Sequence, residues 1–201
     1  MSNKKIDEYI NKYGEIPNDI NERFSYLLKF LKIKDKDVIE IRKRIKKILR
    51  IKYDEMSFVF YFTPQATPRP RYSRFTGAFY VKNQLDYSKI FKEFLDENNV
   101  TFKINTPCEF YCKTYSPIPS TMNKIEKVLA ELGLIKHISK PDWDNMAKTY
   151  CDMIQKHLIE DDSIIYKGTL EKLYSIKPRI EITIRFMTEF DSVYNERKIR
   201  K

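Results

Sequence analysis

The feature that most limits the fold is a change of hydrophobic period near residue 57. Before it, Phe24, Leu27, Leu28 and Leu31 recur at helical spacing, and Val38, Ile41, Ile45, Ile48 and Leu49 do so again. After it, SFVFYFT alternates in β-rich fashion and reads as a strand. Downstream the two periods interleave. Helical spacing marks residues 84–98, 120–132 and 144 to about 158, and strands are expected at AFYV (78–81), CEFYCKTYS (108–116), 164–166, about 172–175 and 179–186. Ser120 or Thr121 is the expected cap of the middle helix, and Gly133 its stop. The chain therefore reads as α+β, a mixed β-sheet packed with helices, with strands paired near the end. Three parts are expected: a helical N-terminal extension at 1–55, a main domain at 56–190 and a polar tail at 191–201.

Charge is distributed unevenly. The chain carries +10 overall, yet residues 140–165 hold six carboxylates against three lysines, a local balance of −3. A basic surface suits an anionic partner, nucleic acid before membrane. The surplus includes Arg42, Lys43, Arg44, Lys46, Lys47 and Arg50 around the second helical pattern. Two readings of that helix stand: a solvated face on a helical hairpin, or a DNA-backbone contact or oligomerisation arm. A second basic element is TPQATPRPRYSRFTGAFYV, where Pro64, Pro68 and Pro70 prevent regular ladder pairing. Arg69, Arg71 and Arg74 alternate there with Tyr72 and Phe75, a combination suited to phosphates and unstacked bases.

Several classes fall away. No GxGxxG or GxxxxGK[ST] loop occurs among only four glycines, so no small-molecule cofactor is expected. No apolar run approaches the roughly 18 residues of a membrane span, and the polar start lacks a signal-peptide core, so the expected location is cytoplasmic. Three cysteines fit a reducing compartment. Cys108 and Cys112, with only His137 and His157 to complete a set, make a poor zinc site.

The acidic stretch is KPDWDNMAKTYCDMIQKHLIEDDSII. Asp142 and Asp144 lie two apart at a helix start, so they share a side of an extended segment. Asp144 reads as the helix cap, with Lys148 one turn later and Asp152 another turn on. By itself such a pattern is a cap and a ladder of salt bridges. Asp161 and Asp162 alter that weighing, because a helix followed by a returning strand can bring them back toward the first pair. Converging carboxylates must be neutralised by a cation or by protons. Oxygen ligands without a His/Cys set suit Mg²⁺ or Mn²⁺, which assist phosphodiester cleavage.

At these residues the sequence resembles the RusA family of Holliday-junction resolvases, phage- and prophage-associated endodeoxyribonucleases of DNA recombination and repair. The resemblance rests on Lys140 to Lys148 (KPDWDNMAK), Asp161 to Ile165 (DDSII), Thr67 to Arg71 (TPRPR) and the closing strand PRIEITI at 178–184, and spans about 57–187. It implies a homodimer acting on branched, four-way DNA. It implies Asp142, Asp144 and Asp162 as catalytic carboxylates holding Mg²⁺, with Mn²⁺ as substitute, and Lys148 at the reacting phosphate. Arg69, Arg71, Arg74 and Lys140 become candidate DNA contacts, and Asn145 and Asp161 candidate supports. Ile164 departs from the glutamine many members carry. A nuclease for flaps or forks, and a junction-binding protein that does not cut, are the rivals. A regulatory or membrane-surface protein driven by residues 38–50 is a third.

Overall fold

The computed structural model describes residues 17–67, 71–73, 78–80, 86–155 and 157–188. The chain divides between Ile51 and Lys52 into two compact units. In the first, α1 (Ile20–Phe30) is capped by Asp19, whose carboxylate accepts the Asn21 and Glu22 amides at 2.9 and 3.0 Å. Lys32, at φ 52°, turns the chain toward α2 (Asp35–Ile48). Arg42 lies over the Phe24 ring at 5.9 Å. Neither helix contains a buried residue, so their apolar positions pack only partially within this unit.

The second unit is built on one four-stranded sheet. Its strands are β1 (Tyr53–Phe60), β4 (Cys108–Pro117), β5 (Ile165–Ser175) and β6 (Arg179–Met187), in the order β1-β6-β4-β5. A separate ribbon pairs β2 (Arg71–Ser73) with β3 (Ala78–Tyr80). β6 lies antiparallel to both β1 and β4, while β5 runs parallel to β4. A parallel pair needs a long crossover, and that crossover contains α4 (Lys124–Glu131), α5 (Trp143–Gln155) and a 3₁₀ turn at Asp162–Ile164. The remaining helix, α3 (Tyr87–Glu97), precedes β4. Helices and a mixed sheet make this an α+β protein, as expected. No described helix is long and apolar enough to cross a membrane.

One sheet face forms the core. Phe58 and Phe60 of β1 alternate inward with Ile180, Ile182 and Ile184 of β6 and Cys108, Phe110 and Cys112 of β4. Phe91 of α3 meets Phe58 and Phe60 edge-on, at 5.6 and 5.7 Å between ring centres. Met146, Tyr150, Met153 and Ile154 supply the inner face of α5. Each such large side chain contributes roughly 1.5–3 kcal/mol on burial.

Four local expectations are corrected. The middle helix starts at Lys124, because Asn123 and Glu126 form a reciprocal capping box that outcompetes Ser120 and Thr121. The acidic helix starts at Trp143, because the Asp142 carbonyl already accepts the Met146 amide at 3.1 Å; Asp142, not Asp144, occupies the cap position. The two short strands at 164–166 and 172–175 are one strand, β5. It does not pair with β6, since β4 lies between them.

Candidate active site

Asp142, Asp144, Asn145 and Lys148 all come from the first turns of α5 or the residue before it. The helix dipole favours negative charge at this end. Its inner face buries Met146, Thr149 and Tyr150, and Asp144, Lys148 and Asp152 form an exposed ridge at four-residue spacing. Lys140 and Asp142 are exposed as well.

The segment before α5 is fastened to β5. The Trp143 indole donates to the Leu170 carbonyl at 2.8 Å. The Lys172 ammonium donates to the carbonyls of Ser139 and Pro141 at 2.5 and 2.6 Å, spanning the cis Lys140–Pro141 bond. Burial holds the Lys172 ammonium below its ordinary pKa, opposed by the Asp142 carboxylate. Next to it, His137 is buried, its Nε2 3.3 Å from the Ser139 hydroxyl and its ring 4.6 Å from that of Tyr174. Burial, with the Lys172 charge, lowers the pKa of this imidazole.

The chain leading into the arginine loop is tied to the same helix. Tyr150 Oη accepts the Gln65 amide at 3.1 Å and donates to the Gln65 carbonyl at 3.0 Å. Thr149 Oγ1 accepts the Thr67 amide at 2.7 Å and donates to the Asn145 carbonyl at 2.7 Å. The Asn145 amide in turn donates to the Thr67 carbonyl at 3.0 Å. Asn145 thus supports the loop entry. Arg69 and Arg74 lie outside the described residues, as does the side chain of Arg71, whose backbone opens β2.

The second acidic motif returns by a short pairing. Ile104 accepts the Glu160 amide at 2.9 Å and donates to the Leu158 carbonyl at 2.8 Å. Asp161 then caps the 3₁₀ turn, accepting the Ser163 amide at 2.8 Å. Ile164 packs into the core, where an apolar side chain offers no hydrogen bond. Asp162 is exposed and faces the third turn of α5: the Cys151 thiol is pushed up to about 11 by burial, then by the Asp152 and Asp162 carboxylates.

Among the described residues, no three His, Cys, Asp or Glu side chains are gathered to hold a metal ion. A closed protein cage is not what these residues fit. The donors of Asp142, Asp144 and Asp162 are all oxygen and all exposed. They fit a hard divalent cation that keeps several waters and binds through one or two carboxylates together with substrate phosphate.

Sequence reasoning did not single out Trp143, Thr149, Tyr150 or Lys172. Trp143, the sole tryptophan, was the nearest to a signal; a buried threonine or a strand lysine carries none.

A family model described as Endodeoxyribonuclease RusA matches residues 62–185. The uncharacterised protein YqaN of Bacillus subtilis (strain 168) is 32% identical over 138 residues, covering 66% of this chain and 96% of that relative.

Proposed function

Since the chain belongs to the RusA family of endodeoxyribonucleases, we propose that it resolves four-way DNA junctions by paired, metal-dependent nicks. The observation that carries this reading is the convergence on one helix end. Asp142, Asp144 and Lys148 occupy the start of α5, and Asn145 and Thr149 hold the entry to the arginine loop from the same two turns.

Asp142, Asp144 and Asp162 would hold Mg²⁺ or Mn²⁺. Such an ion, when bound, supplies Lewis acidity at the scissile phosphate and makes water a stronger nucleophile. Lys148 offsets charge that develops on the phosphate in the transition state. Arg69, Arg71, Arg74 and Lys140 bind flanking phosphates and set the strand in register. A four-way junction has approximate two-fold symmetry, so two matched nicks call for a homodimer with two related sites. Asn145 and Asp161 support the site through the backbone they hold.

The test is cleavage of a labelled immobile four-way junction beside linear duplex, flap and fork DNA, with Mg²⁺, Mn²⁺ or chelator. Paired cuts near the crossover are expected only with metal, and none from Asp144→Asn, which still binds the junction. Faster cutting of flaps or forks would reassign the substrate. Tight junction binding without cutting in either metal would sink the catalytic reading and leave a binding protein.

A further inference from the structure

We propose that Lys172 is the positioning residue of Asp142, acting from the sheet on the carboxylate at the helix start; this rests on the function proposed above. Successive alternate residues of β5 each hold one part of the segment that leads into α5. The Leu170 carbonyl takes Trp143, Lys172 takes Pro141 and Ser139, and the Tyr174 hydroxyl lies 3.3 Å from the Ser139 hydroxyl. Lys172 and Trp143 thus grip the backbone on both sides of Asp142. The Lys172 ammonium donates to both carbonyls, and its bond to the Pro141 carbonyl fixes the peptide plane leading directly into the aspartate.

A merely structural tie would not need an ammonium. Placing one in a half-buried position sacrifices hydration, and two backbone carbonyls return only part of it. The two bonds from Lys172 therefore fix the backbone at the point where a ligand is needed. Groups that orient a metal-ligating or catalytic carboxylate typically alter affinity or rate by about 10- to 100-fold when removed.

The experiment compares full-length wild type, Lys172→Met, Lys172→Arg and Tyr174→Phe. Readouts are single-turnover cleavage at saturating junction, junction affinity in chelator, Mn²⁺ affinity by electron paramagnetic resonance, and amide exchange over residues 138–144. Lys172→Met is expected to slow cleavage about 10- to 100-fold and weaken Mn²⁺ by about tenfold. Exchange should rise in 138–144 alone, and junction affinity should hold within about threefold, since no phosphate contact is lost. Tyr174→Phe, which loosens the same segment farther from Asp142, should slow cleavage much less than Lys172→Met does.

Should Lys172→Met fail to fold, Lys172→Arg decides, because it keeps the charge but not the two-carbonyl geometry; it is expected to fold and lose rate. Wild-type rates in the folded variants would overturn the inference. So would a slow variant whose exchange rises uniformly through the domain, which marks general destabilisation. If wild type cuts no junction with either metal, the proposed function fails instead. The exchange and Mn²⁺ arms then still judge Lys172, and no local change in either overturns it.

Discussion

Tyr150→Phe isolates the tie between α5 and the arginine loop. Tyr150 is 0% exposed, and its hydroxyl both accepts from and donates to the Gln65 backbone. Phenylalanine keeps the ring, including its edge contact with Tyr87 at 5.9 Å, so no large cavity opens. Two hydrogen bonds at roughly 0.5–1.5 kcal/mol each give about 1–3 kcal/mol. Gln65 is exposed, and water recovers part of this, which points to about 1.5 kcal/mol. For a chain of this size that lowers Tm by about 3–6 °C. Burial holds the Tyr150 phenol far above its ordinary value, so the loss should be equal at about pH 6 and about pH 9. Tyr87→Phe is the control. Its hydroxyl is buried near Gln65 and meets no partner at full hydrogen-bond geometry among the described residues, so removing it should leave stability within about 0.5 kcal/mol. The double variant tests whether Tyr87 takes over the Gln65 carbonyl when Tyr150 is gone. Denaturant unfolding with amide exchange at Gln65 and Thr67 measures all three. Unchanged stability and unchanged exchange in both Tyr150→Phe and the double variant would refute the tie.

Glu109 lies under a thin cover of side chains at the sheet surface, its carboxyl held below the ordinary 4.5 by the Tyr111 and Tyr166 hydroxyls first, then by Lys167 and Arg185. A depressed folded pKa stabilises above the ordinary value and is lost as pH falls through the folded one. Glu109→Gln should therefore be less stable than wild type near neutral pH and show a flatter acid limb below about 4.5, measured by urea unfolding across that range. Asn123→Ala removes the capping box of α4 and should cost about 1 kcal/mol, read from the urea midpoint, with Asn123→Asp close to wild type.

Periodicity carried most of the fold, for a local reason: each element buries one face, and the face is written at intervals of two or 3.6 residues. Phe58 and Phe60, or Met146, Tyr150 and Met153, are visible that way before any partner is known. Sheet order was not. β5 and β6 follow one another with a three-residue link, which suggests a hairpin; yet β4, some 60 residues earlier, separates them. Only the packing of several strands at once selects that order. Helix starts were missed where two cap candidates competed nearby, at Ser120 against Asn123 and at Asp144 against Asp142, because the choice depends on which carbonyl the next turn can reach. In the candidate site, the residues with charge were legible from their spacing and the family resemblance. The supports were not, since Thr149 and Lys172 act through carbonyl and amide groups of distant segments, and backbone partners leave no mark in sequence.

The arrangement on α5 has a mechanical consequence. Its outer ridge carries Asp144 and Lys148, while the adjoining positions Asn145, Thr149 and Tyr150 hold Gln65 and Thr67. A helix is stiff over two turns, so whatever shifts the loop entry also shifts the carboxylate ridge. At the other side, β5 grips Pro141 and Trp143 around Asp142 and begins directly after the turn that bears Asp162. Arginines that bind flanking phosphates would therefore act on the same rigid body that presents the acids. Loop variants should lose rate as well as junction affinity, whereas Lys172 variants should lose rate and Mn²⁺ affinity but keep junction affinity. That difference separates a nuclease whose DNA contacts align its chemistry from one in which binding and cutting are independent.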